Sequence, residues 1–273
     1  MIPAFTEIEG FRCYAPELAA AHTDYPSGGF DVTAAVESTS FWCRTRNRII
    51  GGVVERFTDR SRTLDMLEIG CGIGGVVAEL RRFPHLRLTA SEIYIQALRY
   101  ARARVPGVDF IQLDATSMPF REAFDIVGAF DVLEHIDDDE RVMRRVRDAL
   151  RPGGLLLVTV PQHKWMWSAL DDIVCHKRRY TRSELLGKLR RSRFEVLFCS
   201  SFVTTLFPAM AASRLLSRKR PVGDVKEAFA SEVTLSPAAN RACDWIMRID
   251  ESALRAGLSL PFGGSLLAVA RTA

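Results

Sequence analysis

The chain has 273 residues, is 48% hydrophobic and carries a formal net charge of +4. That is enough apolar material for a large packed domain, which excludes a disordered chain. The charge is too mild to imply nucleic acid by itself. The six cysteines (Cys13, Cys43, Cys71, Cys175, Cys199, Cys243) form no CxxC pair, which excludes a disulfide framework and suits a reducing compartment.

Met1 to Thr6 show no basic stretch running into an apolar core, so no signal peptide is expected and the chain reads as cytoplasmic. No apolar run approaches the roughly 18 residues that cross a bilayer. Residues 1 to about 40, punctuated by Pro16, Pro26 and Gly28-Gly29, read as a loop with a short helix. Residues 36–60 read as a helix whose apolar face is Phe41, Trp42, Ile49, Ile50, Val53, Val54 and Phe57. Its arginines suit a solvated face, except that Arg46 is placed to reach the carboxylate of an amino-acid-like ligand.

Leu64 to Ile69 reads as a buried strand, followed by a glycine turn (Gly70-Cys71-Gly72-Ile73-Gly74-Gly75) and an apolar helical pattern. Strand, glycine turn and helix are how an open parallel sheet builds a nucleotide site, although such a turn also occurs with no ligand. Glu68, just before the first glycine, can accept from an ammonium group. The spacing falls short of the full GxGxxG of dinucleotide sites. A second strand, Leu86 to Ser91, ends at Glu92, about 20 residues past the glycines, where a carboxylate can accept from both hydroxyls of a ribose. A helix follows at 94–104. The third strand, Val108 to Leu113, ends at Asp114, an acceptor for the exocyclic amine of adenine, with Met118-Pro119-Phe120 walling the base. Phe124 to Phe130 is a fourth strand. An acid-rich helix start follows (Asp137, Asp138, Asp139, Glu140), and Arg151-Pro152-Gly153-Gly154 stops that helix. Leu155 to Val160 is a fifth, wholly apolar strand. Strands alternating with helices define a doubly wound, mostly parallel α/β sheet.

The run Leu67-Glu68-Ile69-Gly70-Cys71-Gly72-Ile73-Gly74 closely resembles the first motif of class I S-adenosylmethionine methyltransferases. Asp131-Val132-Leu133-Glu134-His135 and Leu150-Arg151-Pro152-Gly153-Gly154 match the same family, and the resemblance covers residues 64–200. It implies a Rossmann-like seven-stranded sheet whose last strand, Ser265 to Ala270, runs antiparallel beside the sixth, Arg193 to Cys199. It implies S-adenosylmethionine as cofactor, bound by Glu68, Gly70, Cys71, Gly72, Glu92, Ile93, Asp114, Ala115, Phe130 and Asp131, with Arg46 added from the preceding helix.

The segment after the fifth strand lies over the edge where chemistry occurs. There Trp165 and Trp167 either pack as a lid or wall an acceptor. Thr181 or Ser183 caps a helix running to 190. The basic run at 177–182 is either a solvated surface or an anion site, so Arg178, Arg179 and Tyr180 join the tryptophans as acceptor-binding candidates. His135 and His176 either fix loops or act as general base for an oxygen acceptor. Their setting also resembles an ExxEH pattern with a later histidine, found in plant-type small-RNA 2′-O-methyltransferases and ubiquinone-pathway O-methyltransferases that use a divalent ion. Here Asp131 replaces the first glutamate, so no metal ligand is assigned and a divalent ion stays a secondary alternative.

Residues 203–262 form an insertion too long for a plain loop. The apolar stretch Phe202 to Ala212, with Arg214, Arg218, Lys219 and Arg220 after it, suits peripheral contact with anionic lipid through 203–220. The expected organisation is a covering segment at 1–60, a cofactor-binding core at 61–202, a helical cap at 203–262 and a last core strand at 263–273. The function expected is methyl transfer to a small-molecule acceptor, anionic or lipid-linked, by a monomer or homodimer. No stacking platform suggests a nucleic-acid partner. A nucleotide-dependent oxidoreductase and a non-catalytic cofactor-binding protein remain alternatives on this fold.

Overall fold

The computed structural model describes residues 3–21, 29–37, 39–217 and 235–272. At the N-terminus, β1 (Thr6–Ile8) and β2 (Phe11–Cys13) form an antiparallel hairpin. Glu9 and Gly10 between them both take positive φ, as a tight two-residue turn requires. Helices α1 (Pro16–Ala21), α2 (Gly29–Glu37) and α3 (Phe41–Phe57) follow.

The core begins with β3 (Leu64–Ile69), then α4 (Gly75–Leu80), β4 (Leu86–Glu92), α5 (Ile95–Arg104) and β5 (Asp109–Gln112). It continues with β6 (Phe124–Phe130), α6 (Asp139–Ala149), β7 (Leu150–Pro161), α7 (Ala169–Ile173), α8 (Arg182–Arg191) and β8 (Phe194–Phe202). After α9 (Phe207–Ser217), α10 (Pro237–Ile246) and α11 (Arg248–Arg255), β9 (Ser265–Thr272) returns to the sheet.

The sheet order is β1-β2-β5-β4-β3-β6-β7-β9-β8. β3 is parallel to both β4 and β6, while β9 runs antiparallel between β7 and β8. The chain therefore winds outward through β4 and β5 on one side of β3 and through β6 and β7 on the other. That reversal opens a crevice at the carboxyl ends of β3 and β6. Helices cover both faces. Val142, Met143 and Val146 of α6 and Leu185 and Leu189 of α8 pack with Leu156 and Val158 on one side. Ile49, Ile50, Val53 and Val54 of α3 pack with Met66 and Ile126 on the other.

The seven core strands carry the expected α/β class, and the hairpin raises the total to nine. This corrects the reading of the N-terminal segment as loop and helix. β2 joins the free edge of β5, Phe11 and Cys13 become fully buried, and Gln112 exchanges two hydrogen bonds with the Ala15 backbone. Three-residue strands are too short to show period-2 patterning. Within the insertion, α10 and α11 lie on α3. There Arg48 donates to Asp244 Oδ1 (3.0 Å) and Glu251 Oε1 (2.8 Å), and the Phe41 backbone donates to Asn240 Oδ1 (2.8 Å). Of the basic run after α9, Arg218, Lys219 and Arg220 lie outside the described residues.

Candidate active site

The carboxyl ends of β3, β4 and β5 present Glu68, Glu92 and Asp114 side by side, because neighbouring parallel strands end in register. Between them the glycine turn runs in the left-handed region, at φ 66° for Gly70 and 52° for Gly72. A Cβ on Gly70 would stand 2.5 Å from Val132 Cγ2, so that glycine is required by packing. A Cβ on Gly72 would meet nothing within 4 Å, so its backbone faces open space, as a cradle for a ligand does.

The three acids differ in what they already hold. Glu92 accepts from the backbone N–H of Gly72 (2.9 Å), Ile93 (2.7 Å) and Tyr94 (3.4 Å), which locks the glycine turn onto β4. Burial raises its pKa, and those three donors only partly offset the shift. Asp114 accepts from the Thr116 N–H (2.8 Å) and from the Thr116 and Ser117 hydroxyls, ahead of buried Ala115. Each carboxylate thus keeps about one of its four acceptor positions free. Glu68 is 3% exposed and its Oε2 has no partner. Burial pushes its pKa up to about 8, opposed by Arg46 and reinforced by Glu37 and Glu92. A buried carboxyl with an unpartnered oxygen costs stability, the kind of cost that binding sites carry.

Arg46 reaches the crevice from α3. It donates to Asp131 Oδ2 at 3.0 Å, lies over the Trp42 ring and stands 3.9 Å from Glu37. Asp131 follows buried Phe130 at φ 57°, a strained setting that also takes a hydrogen bond from the Thr159 hydroxyl at 3.2 Å. Cys71 points into the core, where burial raises its thiol pKa well above the ordinary value. Glu37 was missed by the sequence reading. It is buried beside the glycine turn, with an oxygen 1.9 Å from where a Gly75 Cβ would stand, and it pairs with Arg104. No local motif signals it, since its partners are distant in sequence.

On the acceptor side, the structure brings His135 and His176 together with Glu134. Their rings lie 4.7 Å apart at 74°, and one ligand atom from each of the three residues lies within 4.8 Å of the others. His176 Nδ1 is 2.8 Å from Asp171 Oδ1, and its Nε2 is 3.9 Å from Glu134 Oε1. Both Glu134 oxygens are buried without a partner, and burial followed by Asp131 raises its pKa well above the ordinary range. Burial and the facing His176 lower His135 to about 3, so at neutral pH it is a neutral imidazole and a weak proton acceptor. Burial would raise Asp171, but hydrogen bonds from His176 and Arg179 outweigh it and hold that carboxyl well below its usual range. Asp171 is the orienting group that the sequence reading overlooked. Its only sequence signal is the capping box with Ser168 that starts α7.

Three acceptor-binding assignments are corrected. Tyr180 is 1% exposed and belongs to the core, its hydroxyl donating to Asp139 Oδ2 at 2.6 Å. Arg179 is buried in a two-pronged bond to Asp171 (2.8 and 3.0 Å). Arg178 pairs with Asp139 at 3.1 Å and donates to the Asp137 carbonyl. These cations are consumed by internal acids. Trp167 donates its indole N–H to Asp172, whereas half-exposed Trp165 joins His163, Phe207 and Phe262 in an aromatic cluster beyond the end of β7.

Residues 67–158 match the family model for a methyltransferase domain. A Mycobacterium tuberculosis protein named "Probable S-adenosylmethionine-dependent methyltransferase" is 30% identical over 167 residues, covering 60% of this chain and 59% of the relative. Trans-aconitate 2-methyltransferase of Rhodopseudomonas palustris is 35% identical over 97 residues, 35% of this chain and 38% of the relative. The fold matches Haemonchus contortus phosphoethanolamine N-methyltransferase 2, solved with S-adenosylmethionine, at TM-score 0.54 and 17% identity, covering 83% of this chain and 52% of that one. The fold and the glycine-turn edge are similar to those of methyltransferase domains. Residues 67–158 are thus similar to methyltransferase domains, and the chain spans about 60% of the length of the S-adenosylmethionine-dependent methyltransferases it matches.

Proposed function

We propose that the protein transfers the methyl group of S-adenosylmethionine to a small-molecule acceptor through an oxygen, nitrogen or carbon nucleophile. The observation that carries this is Glu68, a buried carboxyl with a partnerless Oε2 beside an open glycine cradle at the switch point of the sheet. In this reading Glu68 accepts from the cofactor's ammonium, and Gly70, Cys71 and Gly72 line its methionine part. The free position on Glu92 takes the ribose beside Ile93. Asp114 and Ala115 take the adenine. Asp131 and Phe130 floor the crevice, and Arg46 faces the amino-acid carboxylate. S-adenosylmethionine supplies an electrophilic methyl group, so the protein's tasks are alignment and exclusion of water. His176, oriented by Asp171, is placed to take a proton from an oxygen acceptor. Trp165 walls the acceptor. Trans-aconitate, in one relative's name, is a small molecule, which supports a small-molecule acceptor here.

A coupled assay for S-adenosylhomocysteine over a panel of hydroxy acids, carboxylates and amines tests this. Product formed above the no-acceptor background, and lost in Glu68→Ala, is the expected result. Tight cofactor binding with no turnover on any acceptor would leave a binding protein without transfer.

The partnerless oxygens of Glu134 favour a second reading, in which Glu134, His135 and His176 hold a divalent cation. The donor set fits: one carboxylate, two imidazoles, and Asp171 fixing the tautomer of His176 from behind. A bound ion would acidify and position an acceptor hydroxyl. Metal analysis of protein prepared without chelator checks this reading. Near-stoichiometric divalent metal, lost in His176→Ala, supports it. Absence of metal, with no rescue by added ions, removes it.

A further inference from the structure

Helices α10 and α11 divide their side chains unusually by charge. All three acids between residues 237 and 258 turn inward. Asp244 pairs with Arg48 (3.0 Å) and Arg44 (3.5 Å). Glu251 is held by Arg48. Asp250 is buried and accepts from the backbone N–H of Thr205 at 3.2 Å. The outer face is the opposite. Arg241, Trp245 and Ile249 follow at steps of four, which places them in one stripe, and Arg248 flanks it. Trp245 is 76% exposed, and Ile249 and Leu258 are each 59% exposed. Arg248 makes only a 3.5 Å contact to Glu251 and stays largely in solvent.

We infer that this outer face of α10 and α11, led by Trp245 and Ile249, flanked by Arg241 and Arg248 and followed past α11 by exposed Leu258, docks the protein onto an anionic lipid surface. An aqueous surface gains nothing from an open tryptophan beside an open isoleucine, whereas a bilayer interface accepts both. The charge pattern selects the sign of that surface, since cations flank the apolar stripe and every acid of the two helices has been withdrawn from it. A long arginine can lay its stem on the apolar boundary and its guanidinium among phosphates. This places the contact on α10 and α11, whereas the sequence suggested the 203–220 stretch, of which 218–220 lie outside the described residues. Among the described side chains of α9, the exposed ones are Pro208, Ala209, Ala212 and Ser213, which offer little to bury.

Flotation of the full chain with vesicles tests the inference. One set is phosphatidylcholine alone, and the other contains about a third phosphatidylglycerol. The protein is expected to float with the anionic vesicles only and to be released as salt shortens the Debye length. Neutralising both Arg241 and Arg248 to Gln weakens the partition about thirty-fold, at roughly fivefold per basic residue. Ile249→Glu abolishes it while the thermal melt stays unchanged, because the position is exposed. Tryptophan emission shifts to the blue on binding, and Trp245→Phe removes that shift. Three results would overturn the inference: no flotation with either vesicle, equal flotation of wild type and the arginine variant, or a dimer in sedimentation that Ile249→Glu dissociates without any vesicle binding.

Discussion

Two regions of this molecule handle buried charge in opposite ways. Around Asp171 and Asp139, each acid meets a cation: Arg179 on the first, beside its hydrogen bond with His176, and Lys188 and Arg178 on the second. At the glycine turn, Glu68 and Glu92 stand buried with no cation in hydrogen-bond contact among the described residues, and Glu68 lacks even a neutral donor on one oxygen. The first arrangement is complete in itself and holds the acceptor side together. The second lacks a positive partner, which an incoming ammonium would supply. A basic cluster in sequence is therefore poor evidence of an anion site, because its acids can lie far away along the chain.

Breaking the self-sufficient region costs the most. Arg179→Met leaves Asp171 buried without its two-pronged partner, and loss of about 3–5 kcal/mol is expected in chemical unfolding. Cofactor affinity should change little in whatever fraction remains folded. Gly72→Ala probes the opposite case. Its Cβ has open space but a φ of 52°, so the stability loss should be about 1 kcal/mol. The methyl would stand in the cradle, so cofactor affinity should fall far more than stability. Equal losses of both would mean that the cradle is only a turn.

Glu68 separates the regions by pH. Its folded pKa, about 8, lies above its ordinary value, so the folded ligand-free protein holds a proton that the unfolded chain releases. That contribution is complete at pH below the ordinary carboxylate value and is lost as pH rises toward 8. The melting temperature of wild type should therefore decline more steeply from pH 5 to pH 8 than that of Glu68→Gln. An ammonium bound beside Glu68 should expel the proton. Calorimetry at pH 7 in buffers of different ionisation enthalpy should then show proton release on cofactor binding, absent in Glu68→Gln. The smallest effect is expected for Tyr180→Phe. It removes one hydrogen bond to an acid that keeps Lys188, costs about 1 kcal/mol, and leaves acceptor KM unchanged. A raised KM would restore Tyr180 to the acceptor site.

The legibility of the sequence follows the same division. Glu68, Gly70, Gly72, Glu92 and Asp114 could be placed from sequence because each sits at the end of a strand that the apolar pattern marks. Parallel register then does the rest. Tyr180 and Arg179 misled because their partners, Asp139 and Asp171, lie 41 and 8 residues away and carry no sequence mark of pairing. The N-terminal hairpin escaped because its strands derive their stability from the edge of β5 rather than from their own pattern. Glu134 could be read as part of a motif, but its burial without a partner is a property of the packed structure alone.

The central claim is that the glycine-turn edge is a cofactor site completed by its ligand. Calorimetric titration of S-adenosylhomocysteine into the ligand-free protein tests it most directly, with Glu92→Ala and the milder Glu92→Gln in parallel and their melts as fold controls. The account predicts a dissociation constant on the order of micromolar for wild type and at least about tenfold weaker binding in both variants. Absence of binding to the folded wild type, or equal binding by folded variants, would contradict it.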